Sequence, residues 1–184
     1  MSARLFIAAD LPGAVREALA DYGRSAAASD AALRAVGPGA LHVTLAFLGH
    51  RALGEIEPLV GVVREAAAGR EAPALSLSET LWLSPRRPSV LAVRLEDPSG
   101  GLAAIQAAAA ERAANAVGFE AERRAFLPHV TVARVRRGHP PRRGGLPGLP
   151  GVDGFRAEAV TLYRSHLGGR GPARYEVVER VTLG

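Results

Sequence analysis

His42-Val43-Thr44-Leu45-Ala46 and His129-Val130-Thr131-Val132-Ala133 say nearly the same thing twice, 87 positions apart in a chain of 184 residues. After each His, β-branched and aliphatic residues run on without a break, which predicts a strand. Side chains alternate across a strand, so His42 and Thr44 share one face, and His129 and Thr131 share another. Val43, Leu45 and Phe47 then point the other way, as do Val130 and Val132, and are expected in a core. Two such faces turned toward each other would make a cleft holding two imidazoles and two hydroxyls.

Working outward, a first strand is expected over Arg4 to Leu11, where Leu5, Phe6, Ile7, Ala8 and Ala9 form a continuous apolar run, as for a buried strand. Pro12 suits a first helical turn, and Val15, Leu19 and Tyr22 follow at helical spacing to about residue 28. Gly37-Pro38-Gly39 breaks the chain before the first His strand, and Gly49 closes that strand. A helix is expected from Gly54 to Ala68, with Ile56, Leu59, Val60 and Val63 on one face. Strands Ala74 to Leu83 and Ser89 to Leu95 follow, with Leu75, Leu77 and Leu81 alternating as in a half-buried antiparallel sheet. Leu102 to Val117 is the strongest helix, with Gly118 as its C-cap. Arg136 to Gly154, rich in Gly, Pro and Arg, reads as a loop or a disordered segment. Two strands, Phe155 to Leu167 and Arg174 to Leu183, close the chain around Gly168-Gly169-Arg170-Gly171. The order β-α-β-α-β-β-α-β-β-β puts the His strands in different halves. It predicts an α+β architecture whose two lobes face across a cleft.

Composition excludes much. The chain has no Cys, so disulfides, thiolate nucleophiles and Cys-ligated metals are impossible. All 23 basic residues are Arg, so no lysyl Schiff base, P-loop lysine or nucleotidylated lysine can form. No apolar run reaches the roughly 18 residues of a membrane span, and the N-terminal apolar run is too short for a signal peptide. The expected setting is cytoplasmic. A net charge of +5 and a pI near 10.8 suit a polyanionic partner, although a bias toward Ala, Arg, Gly and Pro raises the pI equally well.

A His pair titrating near neutrality suits in-line displacement at phosphorus. One imidazole takes a proton from the incoming oxygen and the other gives one to the leaving oxygen. Thr44 and Thr131 can donate to the non-bridging oxygens, so no metal is required. Zinc competes for the same two His, but neither motif carries a third ligand at metal-binding spacing.

These residues resemble the 2H phosphoesterase superfamily, and most of all its RNA 2′,3′-cyclic phosphodiesterases, historically called 2′-5′ RNA ligases. Besides the two His-x-Thr motifs, the likeness runs through Arg4-Leu5-Phe6-Ile7-Ala8, Phe47-Leu48-Gly49, Gly118-Phe119, Phe126-Leu127-Pro128 before His129, Arg134, and Leu162-Tyr163-Arg164-Ser165. The resemblance implies a single bilobal domain over residues 1–184, with two antiparallel sheets facing across a central cleft and helices outside. It implies metal-independent hydrolysis of a terminal 2′,3′-cyclic phosphate to a 2′-phosphate, with no cofactor. His42 would be the proton donor and His129 the proton acceptor; Thr44, Thr131 and Arg134 would bind substrate. The partner would be RNA with a cyclic phosphate end or a small cyclic nucleotide, and the default state is a monomer. The chain departs from the family in two places: Ala46 stands where many members have Lys, and Ala35-Val36-Gly37-Pro38 lacks an aromatic residue many have there.

Strict alternation sends Arg134 to the face away from His129 and Thr131, so a twist or strand end must return it if it is to touch substrate. The Arg pairs 86/87, 123/124, 136/137 and 142/143 could track an RNA strand or be solvated surface charge. His50, His139 and His166 lack the His-x-Thr context and read as surface residues. Two other readings compete with hydrolysis: a non-catalytic module that binds RNA ends, and 2′-5′ RNA ligation by the reverse reaction.

Overall fold

The computed structural model describes residues 1–84, 86–166 and 174–184. The Gly168–Gly171 turn anticipated above lies outside the described residues. The described residues form nine strands and three α-helices: β1 (Ser2–Asp10), α1 (Gly13–Ser29), β2 (Leu33–Ala35), β3 (Val43–Ala52), α2 (Ile56–Ala67), β4 (Ala74–Leu83), β5 (Val90–Glu96), α3 (Gly101–Val117), β6 (His129–Val135), β7 (Phe155–Arg156), β8 (Ala159–His166) and β9 (Arg174–Thr182). β2 escapes the sequence pattern because three residues show no period, and the single strand expected from Phe155 onward is broken at 157–158 into β7 and β8.

All pairings among the strands are antiparallel and run in the order β7-β4-β5-β6-β3-β1-β8-β9, with β2 also on β6. The halves β7-β4-β5-β6 and β3-β1-β8-β9 are joined through a single pair, Val43 with Val130. This curled α+β sheet is the bilobal arrangement expected. β2 covers residues 133–135 of the same β6 edge on which β3 takes only Val130, so the sheet splays open where the two His motifs meet.

The helices pack on the outer faces. α1 buries Val15, Leu19, Tyr22 and Ala26 against β2 and β6, and Tyr22 Oη lies 2.7 Å from Thr80 Oγ1 of β4. α2 and α3 pack on each other and on the other half, burying Leu59, Val63, Leu102 and Ile105. Gly118 ends α3 at φ 62°, and the amides of Gly118 and Phe119 close the last turn on Ala114 O and Ala113 O.

Four of the strand alternations expected from sequence are shifted by β-bulges. On β3 the register with β1 slips at Leu45 and again at Leu48. Ala46 is therefore buried, and Phe47, expected in the core, is 47% exposed. On β4 a slip between Leu77 and Thr80 sends Trp82 rather than Leu81 against the core. On β6 a slip at Val132 leaves Val132 and Ala133 both buried in succession. Each extra residue reverses which face the following side chains occupy.

The Arg136–Gly154 segment is an ordered loop. Its backbone is tied by Arg136 N–H to Ala32 O and by Arg142 N–H to the buried Asp30 carboxylate, and Leu146, Leu149 and Val152 pack against the core.

Candidate active site

The Val43–Val130 pair sets the two motifs antiparallel and nearly two-fold related. Both valines are fully buried. One residue to either side, the register sets His42 across from Thr131 and Thr44 across from His129. All four face a cleft of about 260 Å³.

The two imidazoles are fixed in the same way. His42 Nδ1 donates to Ala40 O at 2.9 Å and His129 Nδ1 donates to Leu127 O at 2.7 Å. In each case the acceptor is the carbonyl two residues upstream, supplied by the extended chain leading into the strand. Nε2 is thereby left as the working atom of both rings. His42 Nε2 lies 3.1 Å from Thr44 Oγ1, so with His42 neutral the hydroxyl donates to the ring.

Their surroundings differ. His42 stacks on Phe6 at 4.8 Å between ring centroids, and Tyr175 meets it edge-on at 5.4 Å. Burial pushes the His42 pKa down to about 4, against the opposing pull of the Ala40 carbonyl and the Asp10 charge; the Arg134 and His129 charges lower it further. Asp10 accepts from Thr161 Oγ1 (2.8 Å), Tyr163 Oη (2.8 Å) and Arg180 Nε (3.0 Å). Burial first, then the Asp10 hydrogen bond, raises the Tyr163 phenol above its usual range. This tied network backs the Phe6–His42 stack from the β8–β9 side.

Arg134 lines the cleft with the two His. The Val132 bulge reverses the alternation and returns it to the face of His129 and Thr131. The bulge is clamped: Val132 O accepts from Val36 N–H at 2.9 Å, and a Cβ on Gly23 of α1 would stand 2.4 Å from that oxygen. Arg34 of β2 pairs directly across from Arg134 and lines the same cleft. Two like charges side by side on neighbouring strands repel. An anion between them would relieve this. Ala46 is buried on the core side, and the cleft's positive charge comes from Arg34 and Arg134.

All five residues singled out from sequence, His42, Thr44, His129, Thr131 and Arg134, thus meet at one cleft. Sequence reasoning missed Arg34 and Tyr175. The short β2 has no periodic signal, and Tyr175 reaches the cleft only through the β8–β9 pairing. The Arg pairs 86/87, 123/124, 136/137 and 142/143 do not line the cleft, nor do His50, His139 and His166. Among the described residues no three His, Cys, Asp or Glu side chains gather as a metal site, and no helix is long and apolar enough to cross a membrane.

The family model described as LigT like Phosphoesterase matches residues 10–92. An RNA 2′,3′-cyclic phosphodiesterase of Methanothermobacter thermautotrophicus is 30% identical over 179 residues, covering 94% of this chain and 95% of that one. E. coli LigT, solved with 3′-AMP, superposes with a TM-score of 0.79 at 28% identity, over 100% of this chain and 99% of that one. The Thermus thermophilus protein TT0787 superposes with 0.81 at 27% identity, over 98% and 97%. With both His-x-Thr motifs on one cleft and a relative matched over nearly its whole length, the chain belongs to the LigT-like phosphoesterases of the 2H superfamily.

Proposed function

We propose that the protein hydrolyses RNA ending in a 2′,3′-cyclic phosphate to a 2′-phosphomonoester, without a metal, by paired histidine acid–base catalysis. The observation that carries this is the matched pair of imidazoles, each locked at Nδ1 by the carbonyl two residues upstream and each presenting Nε2 to one cleft with Arg34 and Arg134. The naming of the M. thermautotrophicus relative supports the substrate.

In this reading Arg34, Arg134 and the hydroxyls of Thr44 and Thr131 hold the non-bridging oxygens. His129 Nε2 takes a proton from water as its oxygen bonds to phosphorus. The bond from phosphorus to the 3′ oxygen breaks, and that oxygen takes a proton from His42 Nε2. Burial keeps His42 neutral in the free protein at neutral pH, so it acquires its proton together with the anionic substrate, whose charge raises the ring's proton affinity. Thr44 Oγ1, no longer donating to a bare Nε2, then turns its proton toward phosphate. The protein works as a single domain over residues 1–184.

The test is ³¹P NMR of an oligoribonucleotide ending in 2′,3′-cyclic phosphate, incubated with the protein in excess EDTA. A 2′-phosphomonoester is the expected product. A 3′-phosphomonoester would reverse the regiochemistry, activity only with added divalent metal would overturn metal independence, and binding with no product would leave an RNA-end-binding module.

A further inference from the structure

β3 and β6 share only the Val43–Val130 pair, so the two strands part beyond Thr44 and His129. Phe47 stands there with an exposed ring. Its register partner on β1 is Phe6, which stacks on His42, so Phe47 shares the cleft face of the sheet. The Leu45 bulge turned it there, and Gln106 of α3 donates to the Leu45 carbonyl at 3.3 Å. The Arg4 guanidinium lies 4.7 Å from the Phe47 ring centroid. On the chain leading into β6, Leu127 is 37% exposed, two residues before His129. Arg94 pairs directly across from His129 on β5 and carries an exposed 3.0 Å ion pair to Glu79, which a phosphate can displace at little cost.

An exposed aromatic ring on β3 and an exposed leucine on the chain entering β6, with Arg4 at the ring and Arg94 across from His129, suit an unstacked nucleobase and its phosphate. Single-stranded RNA is held by stacking bases on aromatic faces while arginines follow the backbone. The β1 partners of Phe47 and Thr44, Phe6 and Ala8, are two residues apart, so Phe47 lies about 7 Å along the sheet from Thr44, which is the reach of one further nucleotide.

We infer that Phe47, Leu127, Arg4 and Arg94 form a subsite for the nucleotide next to the reacting phosphate, making the protein selective for RNA strands over mononucleotides. This rests on the cyclic phosphodiesterase reading of the His pair and specifies its substrate. Wild-type protein is expected to show an advantage in kcat/KM of at least about tenfold for a tetranucleotide 2′,3′-cyclic phosphate over a mononucleoside 2′,3′-cyclic phosphate. Phe47→Ala should shrink that ratio about tenfold and Phe47→Leu by less, with both variants checked for folding by circular dichroism; one stacked base is worth at least about fivefold. Arg94→Gln should flatten the salt dependence for the tetranucleotide alone. Equal kcat/KM for both substrates in wild type, or an unchanged ratio in Phe47→Ala, overturns the subsite. If neither substrate turns over, the hydrolytic reading has failed, and fluorescence titration of a labelled tetranucleotide 3′-phosphate decides the subsite alone. Tighter binding to wild type than to Phe47→Ala sustains it; equal binding removes it.

Discussion

Gly23 is the glycine on which the cleft's chemistry depends most. In α1 a methyl group at this position would sit 2.4 Å from Val132 O and 3.2 Å from the Val132 carbonyl carbon, both backbone atoms of β6. Reaching ordinary contact requires the helix and the bulge to part by about 1 Å. In an open helix the Gly→Ala change is favourable by about 1 kcal/mol; overpacking of this kind costs about 1–3 kcal/mol. Gly23→Ala should therefore come out neutral to about 2 kcal/mol destabilising, a fall of several degrees in Tm for a chain of this size. Gly61 of α2 serves as the control, since nothing lies within 4 Å of its would-be Cβ, and Gly61→Ala should be neutral or stabilising. The larger effect is expected in activity. Val132 O anchors the bulge that turns Arg134 into the cleft, and if Arg134 holds substrate as proposed, misplacing it by about 1 Å can cost about 100-fold. Thermal melting together with steady-state kinetics on a 2′,3′-cyclic phosphate substrate separates the two effects. If Gly23→Ala melts lower yet keeps wild-type kcat/KM, the bulge does not govern Arg134. If it matches Gly61→Ala in both measurements, the close approach itself is wrong.

His42→Ala and His129→Ala should each lower kcat by about 10²- to 10⁴-fold while the circular dichroism spectrum stays native; a near-wild-type rate from either variant rules out the paired mechanism. His42 has a native pKa of about 4 against 6.5 for the free side chain, so between these values the unfolded chain binds a proton that the native protein refuses. Its contribution to stability is complete above about pH 6.5 and falls away toward pH 4, by at most about 3 kcal/mol. Denaturant titrations should show that slope in wild type and a shallower one in His42→Asn; parallel slopes would mean that burial does not hold the ring neutral. Inorganic phosphate at ten times its Kd should stabilise the protein by about 1.4 kcal/mol, a shift of a few degrees in Tm. At that same phosphate concentration, ten times the wild-type Kd, Arg134→Ala and Arg34→Ala should each weaken the shift, and equal shifts in all three proteins would show that the two arginines do not share the anion.

The elements with a clean period were legible in the sequence. α1 was placed by Val15, Leu19 and Tyr22, α2 by Leu59, Val60 and Val63, and β4 and β5 fall close to where their apolar runs predict, whereas β3 runs on through Gly49, expected to close it, to Ala52. The doubled His-x-Thr pattern brought four of the cleft residues to hand because each motif is only three residues long, too short for a bulge to intervene. By itself, then, the sequence determined the α+β order, the two His and two Thr, and the exclusion of thiolate and lysine chemistry.

Tertiary structure decided everything that depends on a change of register. The bulges at Leu45 and Val132 turned Phe47 outward, hid Ala46 and returned Arg134 to the cleft, and none of these follows from alternation. A bulge is stabilised by distant partners, here Gln106 of α3 beneath Leu45 and Val36 with Gly23 against Val132, so its position is not written in the strand that contains it. Arg34 and Tyr175 belong to the cleft for the same reason: pairings with β6 and β8 carry them there. The unequal burial of two imidazoles with identical local geometry is likewise a property of what packs on them, the Phe6, Tyr163 and Tyr175 rings around His42 and the open cleft edge at His129.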